Sequence, residues 1–227
     1  MSYDFERDSS QRITRSAYIT SAVDNFTMSA WIKCESISGN MNIFANGFAI
    51  PTGEGYQLQV LAASSKLRWD AHYVGSVDST STLSTGTWYH VAAVRNSGTT
   101  TIYINGSSNG TSTATPNALT ANSKTSIGAL ATTGSGWIDH FDGLIAEVAF
   151  WNTPQNTTVI SALAAGAQAS LYPTNLLFYK NLINNPTGDY IDTGGTWTVT
   201  GSTYNTDHPF NYVKDVLGSG IIATPRA

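Results

Sequence analysis

Trp88-Tyr89-His90-Val91-Ala92-Ala93-Val94-Arg95-Asn96-Ser97-Gly98-Thr99-Thr100-Thr101-Ile102-Tyr103-Ile104-Asn105-Gly106-Ser107-Ser108 decides the fold. Two runs with a two-residue period flank Asn96-Ser97-Gly98, and a second turn sits at Asn105-Gly106, where both central residues tolerate positive φ. This is a β-meander over residues 88–112. The same period recurs outward in both directions, over 13–19, 26–34, 56–61, 66–69, 124–128 and 143–151, with a returning strand at 176–179. Turn signals separate these runs, among them Ser38-Gly39-Asn40 and Gly53-Glu54-Gly55. One helix is expected over 158–169: Asn152 or Thr153 can cap it, Pro154 suits its first position and Gly166 can end it.

Composition agrees with this reading. Ser, Thr, Asn and Gly make up about 40% of the 227 residues, while charged residues are only 11%, against a typical ~25%. Hydroxyl and amide residues supply turns and solvent-facing strand positions, whereas exposed helices would bring Glu, Lys and Arg. Eight or more short strands with one helix predict an all-β fold, a two-sheet antiparallel jelly-roll sandwich. Residues 1–206 are read as the jelly-roll domain and 207–227 as an extended C-terminal arm.

Net charge is −4, and the five Lys and six Arg are scattered singly. No basic stripe can neutralise phosphates, which argues against nucleic acid and against an anionic membrane surface as partners. No apolar run approaches the ~20 residues that span a bilayer. The opening Met1–Asp8 has no basic segment followed by an apolar one, so no signal peptide is expected. Cys34 stands alone in the sequence, on one strand face with Phe26, Met28, Ala30 and Ile32, and is read as a small buried hydrophobe.

Four segments in order resemble the laminin-G-like branch of the concanavalin A-like lectin/glucanase jelly rolls. They are Phe26-Thr27-Met28-Ser29-Ala30-Trp31-Ile32-Lys33, Gly86-Thr87-Trp88-Tyr89-His90-Val91-Ala92, Thr101-Ile102-Tyr103-Ile104-Asn105-Gly106, and Phe141-Asp142-Gly143-Leu144-Ile145-Ala146-Glu147-Val148-Ala149-Phe150-Trp151-Asn152. The opening residues 4–11 and the later Thr196-Trp197-Thr198-Val199-Thr200-Gly201 resemble segments around such modules in tailed-phage virion proteins. That resemblance implies a virion location.

The fold's enzymes are glycoside hydrolases, which need paired carboxylates across the scissile bond. The chain has four Glu (Glu6, Glu35, Glu54, Glu147), and only Glu6 has acidic residues at same-face spacing, Asp4 and Asp8. That trio is read as a solvated edge and Glu147 as a structural acceptor, so no enzyme is expected and no catalytic residue is assigned. No cofactor is expected. Many modules of this resemblance bind sugars through calcium, which needs several converging oxygens; Asp139 and Asp142 are the nearest to such a pair here. Metal-free glycan binding uses an aromatic platform with polar neighbours. The candidates are Trp69, His72, Tyr73, Trp137 and His140, whereas Trp31, Trp88 and Trp151 read as scaffold.

Two uses follow. The first, placed ahead, is a non-catalytic structural protein of a phage particle, such as a capsid decoration protein, meeting other particle proteins or copies of itself. The alternative is an adhesin or tail-fibre module that binds a host-surface polysaccharide. The arm suits the first use: Phe210, Tyr212, Val213, Val216, Leu217, Ile221 and Ile222 are too many apolar groups for a solvated tail. It is expected to lie extended across a neighbour.

Overall fold

Alternating apolar and hydroxyl side chains build twenty strands and one α-helix among the described residues, in a computed structural model. Those residues are 2–20, 23–48, 54–119, 124–132, 136–181, 191–192, 196–214 and 221–225. In chain order the first strands are β1 (Ser2–Phe5), β2 (Arg12–Arg15), β3 (Phe26–Cys34), β4 (Met41–Phe48), β5 (Glu54–Leu61), β6 (Lys66–Ala71) and β7 (Gly75–Thr82). The meander follows as β8 (Trp88–Asn96), β9 (Thr99–Ile104) and β10 (Ser107–Ser112). Then come β11 (Thr125–Ile127), β12 (Leu130–Ala131), β13 (Trp137–Ile138), β14 (Gly143–Trp151) and α1 (Thr157–Ala164). The chain closes with β15 (Leu176–Lys180), β16 (Ile191–Asp192), β17 (Trp197–Thr200), β18 (Thr203–Asn205), β19 (Phe210–Lys214) and β20 (Ile221–Pro225). No helix among the described residues is long and apolar enough to cross a membrane.

Two antiparallel sheets face each other. The first runs β10-β9-β8-β3-β14-β1-β18, with β15 on the far half of β14 and β16 beyond it; the second runs β17-β2-β11-β4-β5-β6-β7. Their inner faces form one core. Phe26 stacks on Tyr56 across the sandwich at 4.0 Å between ring centroids, and Phe44, Phe178 and Trp197 continue the aromatic layer. The meander turns as expected. Ser97 and Gly98 hold φ of 46° and 90°, and Asn105 and Gly106 hold 49° and 82°, the primed-turn geometry that matches strand twist. Cys34 is buried, and burial pushes its thiol up to about 12, which suits a packing role.

The outer face of the first sheet is also covered. Ile160 of α1 packs on Ala92, Val94 and Tyr103, while Leu163 joins Ala149, Trp151 and Tyr179. The helix ends at Ala164, short of the expected 169, and its cap is not Asn152 or Thr153, because the segment expected to cap it is held elsewhere. Thr27 Oγ1 donates to the Thr153 carbonyl at 2.9 Å and accepts the Gln155 N–H at 2.8 Å. Asn156 is the cap instead, its Oδ1 accepting from the Val159 N–H at 3.0 Å. The strand expected over 13–19 stops at Arg15, beyond which side chains take over the backbone partners: Asn46 Oδ1 accepts the Ile19 N–H at 2.9 Å.

The C-terminal arm is not one extended segment. Phe210–Lys214 and Ile221–Pro225 pair antiparallel as a hairpin, which shortens its reach; Val216 and Leu217 lie outside the described residues. Its approach is docked on the chain's own sandwich. Asp207 accepts from Lys33 Nζ at 2.6 Å and from Trp88 Nε1 at 3.2 Å, and Phe210 packs edge-on against Trp31 beside Ala146. Phe210→Ala removes a ring that is 4% exposed; such losses cost about 3 kcal/mol. The melting temperature should therefore fall by roughly 6–12 °C, read by differential scanning calorimetry. An unchanged value would mean that the segment does not stabilise its own sandwich.

Candidate functional site

The aromatic candidates separate by strand parity. Trp69 shares the inner face of β6 with Leu67 and Ala71 and is fully buried. Its ring is core, with the Arg95 guanidinium 5.9 Å from its centroid, and no sugar can reach it. His72 is buried as well, its Nδ1 3.1 Å from the Asp70 carboxylate, and serves as a strut rather than a contact. One residue further on the picture reverses. Tyr73 sits in the β6–β7 turn, closed by the Val74 N–H on the Ala71 carbonyl, with φ of 60° and 71% of its surface exposed. Val74 beside it is also exposed. A bulky residue in the left-handed region carries a backbone cost, which the turn must absorb to display that ring.

Trp137 and His140 are half-buried on the segment that leads into β14. Arg12 and Lys124 stand over the Trp137 ring, at 4.9 and 5.6 Å from its centroid, so cations cover part of its face. The His140 carbonyl accepts from Arg7 Nε at 3.3 Å, and burial pulls its imidazole below the usual range. Burial likewise raises the Asp139 carboxyl, against the opposing pull of His140, Arg7 and His72. The 137–140 segment joins β4 where the Asn42 N–H meets the Asp139 carbonyl at 2.7 Å. The β6–β7 turn follows the Asn46–Tyr56–Ala71 row further along the same sheet. What links them is the electrostatic influence of His72 and Asp70 on Asp139.

Asp142 belongs to a different group. Its carbonyl accepts the Glu35 N–H at 3.0 Å, and it adds its charge to a carboxylate cluster made by Asp4, Glu6 and Glu35. Oxygens of those three lie within 4.8 Å of one another. The register explains the meeting. Asp4, Leu144 and Lys33 form one row across β1, β14 and β3, and the next step along each strand is Glu6, Asp142 and Glu35. The sequence shows Asp4 and Glu6 as a same-face pair but gives no sign of Glu35, which only the strand order brings in. Neither Asp139 nor Asp142 is among those three; Asp142 adds its charge to the cluster, while Asp139 is raised by burial and set among His140, Arg7 and His72.

Glu147, by contrast, is enclosed. It takes φ of 52° where β14 bulges, accepts from the Tyr179 hydroxyl, and lies 3.5 Å from His208 Nε2. His90, buried nearby beside Trp31, is pulled down to about 3 by burial and is neutral at ordinary pH. These groups tie the C-terminal approach and β15 to β14. They are a structural network.

Residues 7–161 match the family model Laminin_G_3, described as the concanavalin A-like lectin/glucanases superfamily. The chain belongs to that superfamily. Among solved structures it resembles a proposed carbohydrate-binding protein from Bacteroides ovatus, at TM-score 0.60 and 18% identity over 99% of this chain and 59% of that one. It also resembles the heptameric SAP-like pentraxin of Limulus polyphemus, at TM-score 0.58 and 18% identity over 85% of this chain and 87% of that one. Domains LG4-5 of the mouse laminin alpha1 chain align at TM-score 0.52 and 16% identity, over 69% of this chain and 43% of theirs. The chain therefore spans about three-fifths of the Bacteroides ovatus protein's length. At these identities the likeness establishes the superfamily's jelly roll and leaves ligands to the site itself. A search among curated proteins gives no match.

Two pH effects of opposite sign follow. Burial and then the neighbouring acids, Asp4 foremost, raise Glu6 and Glu35 above their ordinary 4.5. Their ionisation therefore weighs against the fold: the stability they allow is full below pH 4.5 and falls as pH rises through the raised values. Glu35→Gln should raise the melting temperature by about 1–2 °C at pH 7 and by nothing at pH 3.5. A gain that persists at pH 3.5 would show that the carboxylates do not repel. His90 runs the other way, since its folded value lies below the ordinary 6.5. The stability that it contributes is full above pH 6.5 and is lost as pH falls towards 3. In His90→Gln, the slope of unfolding free energy between pH 6.5 and 4 should lose up to about one proton, measured by urea titration. An unchanged slope would place the acid-sensitive group elsewhere.

Proposed function

We propose that this protein is a non-catalytic carbohydrate-binding module whose contact surface is centred on Tyr73 in the β6–β7 turn, with Trp137 and His140 as further contact residues. The observation that carries the reading is Tyr73: a ring 71% exposed, held out on a left-handed backbone next to exposed Val74. Sugars offer apolar C–H faces that stack on such a ring, and hydroxyl rims that hydrogen-bond to polar neighbours. Rigid support comes from beneath, where buried His72 on the partly exposed Asp70 carboxylate fixes the turn. The carbohydrate-binding assignment of the Bacteroides ovatus protein supports the same class of ligand.

The absence of catalysis is part of the proposal. Glu147 is consumed by Tyr179 and His208, and the Asp4–Glu6–Glu35 group sits on β1 and the end of β3 in the first sheet, whereas Tyr73 follows β6 of the second. Use as a phage particle component, with particle proteins or further copies as partners, rests on the sequence resemblance alone.

Tyr73→Ala should weaken retention on a glycan array at least fivefold and leave the melting temperature within about 2 °C, as expected for an exposed side chain. Trp137→Ala should weaken it less, because Arg12 and Lys124 already occupy its face. Equal retention by wild type, both single variants and the double variant would overturn the site. Release of reducing sugar from a polysaccharide panel, abolished in Glu147→Gln, would overturn the non-catalytic reading.

A further inference from the structure

A second feature lies on the outer face of the first sheet, away from Tyr73. There β8 and β9 form the floor of a cleft of about 490 Å³, and the 154–157 segment entering α1 forms its wall. A second hollow of about 280 Å³, between the same segment and residues 171–174, adjoins it. Gln155 lines both, so the two hollows flank one segment and together are taken as the groove.

Its lining has a definite chemistry. Among the described residues no charged side chain contributes to it. The polar groups are hydroxyls and amides, such as Thr99, Thr101 and Gln155, and the apolar ones are rings and short aliphatics, such as Tyr103, Tyr172 and Pro154. Leu171, 67% exposed, stands at one end. An anion would meet no cation here, and a purely apolar ligand would leave the amides unpaired. An extended peptide gains affinity by adding to a strand edge, but this groove crosses the face of β8 and β9, both of which are already paired on each side. What remains is a ligand dense in neutral hydroxyls with apolar faces between them.

The groove is also built in advance. Thr27 holds the wall through the Thr153 carbonyl and the Gln155 N–H, Asn156 caps α1, and Trp151 Nε1 donates to the Tyr172 carbonyl at 2.9 Å. Preformed walls spare the ordering cost that binding otherwise meets. We infer that this groove is a second binding site, for an uncharged oligosaccharide. It rests on the carbohydrate-binding reading for the class of ligand only; its residues and its test are separate from those of the Tyr73 end.

The test is an amide chemical-shift titration of the ¹⁵N-labelled full chain. The ligands are cellohexaose, xylohexaose, maltohexaose and mannohexaose, with hexagalacturonate as the acidic comparison. Saturable shifts at Thr99, Thr101, Gln155 and Thr157 with at least one neutral hexasaccharide are expected, together with at least tenfold weaker binding of hexagalacturonate there. In Gln155→Ala these shifts should need at least fivefold more ligand, while any shifts at Tyr73 keep their midpoint. Shifts confined to the Tyr73 end would overturn the groove and leave the proposed function standing. Shifts in the groove without any at Tyr73 would do the reverse. Preference of the groove for hexagalacturonate, or no shift in the groove with any ligand, would overturn the inference.

Discussion

The sandwich depends on one extra residue in β14. Between Ala146 and Ala149 this strand carries two residues where β3 carries one, Ala30, so Glu147 is bulged out of the ladder with φ of 52°. Without the bulge, strict alternation would put Ile145, Glu147, Ala149 and Trp151 on one face and leave Val148 and Phe150 on the other. With it, Ile145, Val148 and Phe150 all enter the core, while Ala146, Ala149 and Trp151 turn outward. The cost is a buried carboxylate, and Tyr179 and His208 meet it. The bulge thus sets which groups cover the sheet from outside: α1 lies over Ala149 and Trp151, and Phe210 lies over Ala146.

That covering determines where a ligand can sit. The near half of the first sheet's outer face is closed by the Asp207–Phe210 segment, through Lys33, Trp88 and Trp31. The helix closes the middle. Open surface is left at the end of the sandwich around Tyr73 and along the wall ahead of α1. The positions of the proposed sites are therefore consequences of the packing.

Much of the architecture was legible in the sequence because it was local. The 88–112 meander, the 26–34 and 143–151 strands and the burial of Cys34 follow from a two-residue period and from turn chemistry. What needed tertiary context was not. β7 is Gly-Ser-Val-Asp-Ser-Thr-Ser-Thr, with almost no apolar period to read, although it completes the second sheet. Trp69 looked like a strand end because the visible alternation stops there; β6 runs two residues further, which turns Trp69 into core and moves the exposed aromatic to Tyr73. Glu35 is far in sequence from Asp4 and Glu6, and only the order β3-β14-β1 brings them together. The helix cap shifted because Thr27, on a different strand, claimed the residues before it.

The small complement of charge acquires a meaning from this arrangement. Several of the few charged side chains act inside the structure: Arg68 grips Asp78 with two hydrogen bonds, Lys33 holds Asp207, Arg7 reaches Ser38, Gly39 and the His140 carbonyl, and Arg95 is buried on Thr100, Thr115 and the Ala114 carbonyl. Charges used as struts contribute little long-range field, and what remains is screened within about 8 Å at physiological salt. The surfaces left to meet a ligand are hydroxyl, amide and aromatic. Such surfaces discriminate by the fit of hydrogen-bond patterns and ring faces at contact, which is the discrimination that neutral sugars, alike in charge and differing in hydroxyl geometry, require.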